Sequence, residues 1–257
     1  MRPCGRVEFI HHVKKALNRD DPGIRSLADI IQIDPNADDC RLLEKIADRD
    51  THSHLVLLER LIEAATLVNV GVMVEKDADS AAASISKIAA EKCAEWGDQK
   101  SVVAWDHPLV KRLGLAACLR PLDIPVNFAD REPVTADRLE IFRKHAEGAF
   151  IGITAADYCI AETATLSMKT RPGQPRCVSL LPSIHIAVIR IEQILSNLNE
   201  LYTLLKWSPI EQAEGITRCM TFITGPSKTA DIEATLVHGA HGPRELYLLV
   251  LTDSMHD

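Results

Sequence analysis

The 257-residue chain has no Cys-x-x-C pair; its seven cysteines, at positions 4, 40, 93, 118, 159, 177 and 219, are scattered and odd in number. That spacing excludes a structural zinc site or an iron–sulfur cluster held by this chain's own cysteines. It fits the free thiols of a cytoplasmic protein. Long apolar runs are missing too. The most prominent uncharged stretch, Cys177–Ile189, contains Ser, Pro and His and falls far short of the roughly 18 apolar residues a membrane helix needs. Behind the initial Met-Arg-Pro-Cys-Gly-Arg there is no apolar core of the signal-peptide kind, so the protein is expected to stay in the cytoplasm, without membrane insertion. An excess of positive charge is also lacking. The net charge of −7 argues against a nucleic-acid backbone binder. There is no internal repeat and no low-complexity tract. With 46% hydrophobic and 25% charged residues, the composition is that of an ordinary globular protein, long enough to bury a large core without a staple.

Charge is unevenly placed. Residues 1–148 hold 46 charged side chains and residues 149–257 only 19. The first part reads as solvated helices around a core. The second reads as short apolar strands joined by Gly and Pro turns. Apolar spacing predicts helices at Arg6–Arg19, His54–Val68, Asp77–Ala94, His107–Leu113 and Pro133–His145, and a helical stretch at Ile191–Leu205. Residues 20–50 read as an irregular, acidic arm or linker. Strands are expected at Val70–Val74, Ser101–Trp105, Ala149–Ile153, Tyr158–Ala161, Leu166–Lys169, Arg176–Leu180, His185–Arg190, Met220–Thr224 and Leu246–Leu251. Helix–strand alternation of this kind points to βαβ units and a parallel sheet. The expected organisation is an N-terminal helical arm over residues 1–50 and one α/β domain over residues 51–257.

Three loop clusters could carry chemistry. In the first, Gly152 to Leu166, Asp157 and Glu162 stand among small and hydroxyl residues that include Thr163 and Thr165. A carboxylate with few charges nearby suits acid, base or nucleophilic work; equally, Glu162 can hold a turn and the threonines can be strand residues. The second is Ser179-Leu-Leu-Pro-Ser-Ile-His185-Ile186, where His185 is either a structural residue or a neutral acceptor and proton shuttle facing a cleft. The third is Gly225-Pro-Ser227-Lys228-Thr229-Ala-Asp231-Ile-Glu233. Its hydroxyls and Lys228 precede a short helical pattern, so peptide N–H groups there form a cradle for a phosphate or carboxylate, or else Ser227 or Thr229 caps the helix. It is not a Walker A loop, which needs Gly at the positions of Phe222 and Ser227. His238 and His241 follow in a Gly-rich turn, but no standard ligand spacing supports a metal there. No metal and no cofactor of the chain's own is expected. Strand ends in open α/β sheets gather at one crevice, which predicts that Glu162, His185 and Ser227 line one pocket.

Taken together, the stretches Gly152-Ile-Thr-x-Ala-Asp-Tyr158, Ala161-Glu-Thr-Ala-Thr-Leu166, Ser179-Leu-Leu-Pro-x-x-His-Ile186, Gly225-Pro-Ser-Lys-Thr-Ala-Asp-Ile-Glu233 and Gly239-x-His-Gly-Pro243 resemble the LUD family, the lactate-utilisation domain proteins, and within it the small C-type subunit. The resemblance runs over about 145–251 and more loosely back to about 51. One departure is Ala164, where Gly is usual; it matters only if that position needs a positive φ. The resemblance implies a three-layer α/β/α sheet of the sugar-phosphate isomerase and CoA-transferase kind. It implies a subunit of a cytoplasmic L-lactate utilisation system that oxidises L-lactate to pyruvate, with iron–sulfur subunits as partners. Such a subunit carries no redox centre and binds a small carboxylate or phosphate. Glu162, His185 and Asp157 would be its catalytic residues. Thr163, Thr165, Gly225, Ser227, Lys228, Thr229, Asp231 and His241 would bind substrate. The alternatives are a stand-alone CoA-transferase-like or cyclo-ligase-like enzyme that uses Glu162, and a scaffold or regulator without chemistry.

Overall fold

A computed structural model describes residues 15, 34–94, 99–131, 135–215, 217, 219–232, 235–238 and 242–253. The expected helix at 6–19 lies outside them apart from residue 15. Residues 34–50 hold a helix, α1 (Ala37–Ala47), with no buried residue. It forms where an irregular linker was expected; Leu42, Leu43 and Ile46 recur at helical spacing there. Asp50 then caps α2 (Thr51–Leu67) by accepting from the backbone N–H of Ser53. The buried face of α2 is Leu58, Leu61 and Ala65, one turn apart. Strand β1 (Val70–Glu75) follows, then α3 (Ala78–Glu91), opened by a reciprocal capping box between Asp77 and Ser80.

The central sheet comprises β1, β2 (Val102–Ala104), β3 (Val126–Phe128), β4 (Ile151–Ala155), β7 (Ile184–Arg190) and β12 (Glu245–Leu251). Its order is β1-β12-β7-β4-β2-β3, and every pairing is parallel. The middle strands are buried on both faces, which is why they read as largely apolar runs rather than alternating ones. One face, with Val102, Ala104, Ile151, Ile153, Ile186 and Val188, packs on α3, α4 (Pro108–Arg112) and α5 (Leu115–Leu119). The other, with Val103, Ala187, Ile189, Leu246 and Leu248, packs on α2, on α7 (Cys177–Leu180) and on a second sheet. Each fully buried Leu or Ile contributes about 1.5–3 kcal/mol of transfer free energy. That second sheet has the order β8-β5-β6-β9: β5 (Tyr158–Ile160) and β6 (Thr165–Lys169) form a hairpin, flanked by β8 (Ile194–Leu195) and β9 (Met220–Thr224). The fold is the expected mixed α/β class, with a parallel sheet covered on both faces.

Three local expectations are corrected. Arg176–Leu180, read as a strand, is helix α7; its backbone lies so close to β4 that the carbonyl of Val178 would sit 1.8 Å from a side chain placed at Gly152. Ile191–Leu205, read as one helix, is a 3₁₀ turn (Ile191–Gln193), strand β8 and then α8 (Leu198–Trp207). Pairing of Ile194 and Leu195 with Cys159 and Ile160, and the cap that Asn197 gives to Glu200 N, divide it. The helical pattern after Ser227 is instead a β-hairpin of β10 (Lys228–Ile232) and β11 (Thr235–His238). Helix α6 (Ala136–Glu147), the short α9 (Pro209–Glu214) and a 3₁₀ turn (Arg120–Leu122) are the remaining elements among the described residues.

Candidate functional site

From β2 the chain moves outward to β3, then returns past β2 to β4 and continues the other way through β7 and β12. The direction reverses between β2 and β4. Beyond the carboxyl ends of strands at such a reversal, the loops part and leave a crevice. Here it is a cavity of about 250 Å³. Trp105 and His107 reach it from the end of β2, Asp157 from the end of β4, and Lys169 and Arg171 from the end of β6. Helix α9 closes the far side with Glu211 and Glu214.

These side chains form one network. Lys169 is almost completely buried, and its Nζ donates to Glu211 and to Glu214, at 2.6 Å each. Tyr158 donates its hydroxyl to the other oxygen of Glu211 at 2.9 Å; burial, with that carboxylate, pushes the phenol's pKa up. Arg171 grips Glu214 through both Nε and an Nη, and reaches Oδ1 of Asp157 at 2.6 Å. Oδ2 of Asp157 accepts from the backbone N–H of Lys169, also at 2.6 Å. Asp157 thus ties the β5–β6 hairpin and orients Arg171. The hydrogen bond from Arg171 holds the Glu214 carboxyl well below the usual carboxylate range, at about 2. His107 caps α4 by accepting the Leu109 N–H on Nδ1. That bond needs a bare Nδ1, and burial also lowers its pKa, so the ring is neutral with its proton on Nε2.

His185 lies elsewhere. It is the second residue of β7, at the amino end of the sheet, and is 1% exposed. Nε2 meets Thr154 Oγ1 on the neighbouring β4 at 2.8 Å, while Nδ1 has no partner among the described residues. Burial depresses its pKa to about 3. His185 and Ser227 share a second cavity of about 240 Å³, walled by α7, β9 and the turn after β9. That turn needs Gly225: its φ is +78°, and a Cβ there would come within 2.4 Å of the Val68 carbonyl.

The remaining candidates scatter. Glu162 does not join His185 and Ser227. It is exposed on the β5–β6 turn, 3.4 Å from Arg60, with its backbone N–H on Ser196. In the same turn, Ala164 is buried at φ 49°. Thr163, Thr165 and Thr224 form a hydroxyl chain with 2.7 Å links, in a shallow groove beside Leu198, Tyr202 and Phe222. Lys228 is exposed and opens strand β10, so the expected helix-start cradle is not formed. The side chains of Thr229 and Asp231, and all of His241, lie outside the described residues. Sequence reasoning missed Lys169, Arg171, Glu211, Glu214 and His107. A signal for two of them was present: Lys169-Thr-Arg171 ends an otherwise uncharged strand in a half of the chain with only eight basic residues. Among the described residues no group of His, Cys, Asp and Glu could hold a metal ion, and no helix is long and apolar enough to cross a membrane.

Comparison with known proteins places this chain among relatives. The sequence profile of the LUD domain matches residues 58–251. The chain is 36% identical over 156 residues to "Lactate utilization protein C" of Geobacillus sp. (strain WCH70), a match covering 59% of this chain and 62% of that protein. It is 32% identical over 200 residues to "Lactate utilization protein C" of Halalkalibacterium halodurans, covering 77% of this chain and 81% of that protein. To "Uncharacterized protein YkgG" of Escherichia coli (strain K12) it is 27% identical over 249 residues, covering 96% and 98%. In structure it is similar to a DUF162 family protein from Deinococcus radiodurans, with a TM-score of 0.51, 21% identity, and coverage of 77% of this chain and 98% of that one. At that identity the likeness concerns the fold alone.

Proposed function

Because this chain belongs to the LUD domain family, we propose that it is the C-type subunit of a cytoplasmic L-lactate utilisation system, working beside iron–sulfur subunits without a redox centre of its own. The names of its relatives support the lactate role. The scattered cysteines are the reason for leaving the redox centre to the partners. In this reading the chain binds a small monocarboxylate in the cavity at the carboxyl ends of β2 and β4.

One observation carries the choice of site. Glu214 lies at the cavity mouth, partly exposed, and its carboxylate spans Arg171 and Lys169. It sits at the last position of α9, beside Gly215 with φ +80°. A ligand carboxylate can take its place in the fork of Arg171. Without Glu214 the cavity holds two cations, Lys169 and Arg171, and two anions, Asp157 and Glu211. A monocarboxylate in place of Glu214 therefore leaves the net charge unchanged, while a doubly charged phosphate does not. The N–H on Nε2 of His107 supplies a donor for a hydroxyl or keto oxygen next to that carboxylate. Asp157 stays in the assignment as the residue that orients Arg171.

Calorimetric titration with L-lactate tests this. Arg171→Met should weaken binding by roughly 10-fold or more, the scale of one charge-assisted hydrogen bond. Glu214→Gln should tighten it, because a competing carboxylate is gone. Affinity unchanged in both variants refutes the site. Purifying the tagged chain from its own cells, with an iron assay of what accompanies it, tests the partners.

A further inference from the structure

The Arg171 cavity has more space than lactate fills. Its volume is about 250 Å³ with Glu214 still in place. An engineered cavity of ~150 Å³ holds benzene, and lactate has as many non-hydrogen atoms as benzene. On that scale, about 25 Å³ per atom, lactate leaves roughly 100 Å³ over, room for about four atoms more. Displacing Glu214 enlarges the space further.

The polar lining serves one end of a ligand. Lys169 bonds Glu211 and Glu214, and Tyr158 bonds Glu211. Both oxygens of Asp157 are engaged, by Arg171 and by the backbone N–H of Lys169. Gln193 donates to the carbonyls of Ala156 and Asp157 and accepts from the N–H of Arg190. The amide of Gln174 stands beside the fork of Arg171, from which its oxygen accepts at 3.4 Å. These groups are satisfied within the protein or face a carboxylate seated in that fork. Nε2–H of His107 is left for an oxygen on the neighbouring carbon.

The rest of the described lining is apolar. It comprises the Trp105 ring, whose N–H donates to the Pro175 carbonyl at 2.9 Å, the methyls of Ala155 and Ala156, and Ile210. Ile210 is 79% exposed although large and apolar. It lies on the same face of α9 as Glu214, one turn away, about 5.4 Å along the axis. A carboxylate in the place of Glu214 thus has Ile210 beside its carbon chain. The methyl of lactate is too short to span that turn. A longer branched chain reaches across it and takes its own apolar surface, and that of Ile210, out of water.

We propose, on the basis of the carboxylate reading of this cavity, that it takes 2-hydroxy monocarboxylates with apolar side chains longer than methyl, up to about an isobutyl group, and binds them more tightly than L-lactate. Arg171 and His107 hold the polar end, and the side chain lies against Ile210 and Trp105.

The test is calorimetric titration of the full chain with L-lactate, L-2-hydroxybutyrate, L-2-hydroxyisocaproate and L-glycerate. Each added methylene, at about 0.8 kcal/mol when buried, tightens binding about four-fold. L-2-hydroxyisocaproate should therefore bind at least ten-fold more tightly than L-lactate. L-2-hydroxybutyrate should bind more tightly than L-glycerate, which has the same size and charge but a hydroxyl in place of the terminal methyl. Ile210→Ala, a change at an exposed position, should weaken L-2-hydroxyisocaproate at least three-fold more than L-lactate. Arg171→Met should weaken all four acids. Suppose L-lactate binds and responds to Arg171→Met. If L-2-hydroxyisocaproate then binds no more tightly, or L-glycerate matches L-2-hydroxybutyrate, or Ile210→Ala leaves the ratio unchanged, this proposal fails and the carboxylate reading stands. If no acid binds, or Arg171→Met changes nothing, the carboxylate reading fails and takes this proposal with it.

Discussion

Lowering the pH from about 7.5 to about 5 should cost the wild-type chain roughly 2 kcal/mol more stability than it costs a His185→Gln variant. In the folded protein His185 is fully enclosed and its pKa is depressed to about 3. In the unfolded chain it titrates near 6.5. At pH 5 the unfolded state therefore holds a proton that the native state refuses, and stability must fall as pH falls. The contribution is fully present above the unfolded value and is lost progressively as pH drops from about 6.5 toward 3. Each pH unit well inside that window costs about 1.4 kcal/mol. Down to pH 5 this amounts to roughly 2 kcal/mol, and over the whole window to roughly 5 kcal/mol. Glutamine does not titrate, and its amide can still bond to Thr154. His54 and His107 are also depressed by burial but occur in both proteins, so they cancel. Urea denaturation of both proteins at the two pH values gives the difference directly. Equal losses would refute the reasoning, as would an NMR titration that places His185 near 6.5.

Three further outcomes follow from the geometry. Gly152→Ala should destabilise the chain by roughly 3 kcal/mol or more in a thermal melt, because its Cβ would lie 1.8 Å from the Val178 carbonyl and 2.9 Å from Pro182 Cγ; a variant that melts like wild type would disprove the close packing of α7 on β4. Ala164→Gly should change stability by no more than about 0.5 kcal/mol: relief of a left-handed alanine, worth about 1–2 kcal/mol, is offset by a lost buried methyl of about 0.8 kcal/mol and by a more flexible unfolded chain. Ala164→Val should cost clearly more, since a β-branched residue tolerates positive φ poorly. Lys228→Ala should leave L-lactate and phosphate affinity unchanged in calorimetry, because Lys228 is exposed and opens a strand rather than a helix; a loss of ten-fold or more would restore the anion cradle.

Local information sufficed where the chain's own pattern controls its structure. The apolar faces of α2 and α3, their Asp caps and the largely apolar strands β4, β7 and β12 are all written at short range, so the fold class is legible from residue spacing. The same holds for the family motifs, whose glycines at 152 and 225 answer to close backbone approaches. Where a segment's structure depended on a distant partner, the pattern misled. Cys177–Leu180 is helical because it seats against Gly152, and Ile194–Leu195 is extended because Cys159 and Ile160 await it. The charged cavity was beyond sequence reasoning for the same cause. Lys169 and Glu211 lie 42 residues apart, and only the closing of α9 over the end of β6 makes them a pair. Glu162 and His185 looked like partners because they share a residue type and a loop setting with catalytic groups. Strand direction put His185 at the amino end of the sheet, and a hairpin turn left Glu162 in solvent. Spacing along a chain decides which face of an element is apolar. Which charges meet at the end of a sheet is decided by strand order, and that is a property of the whole fold.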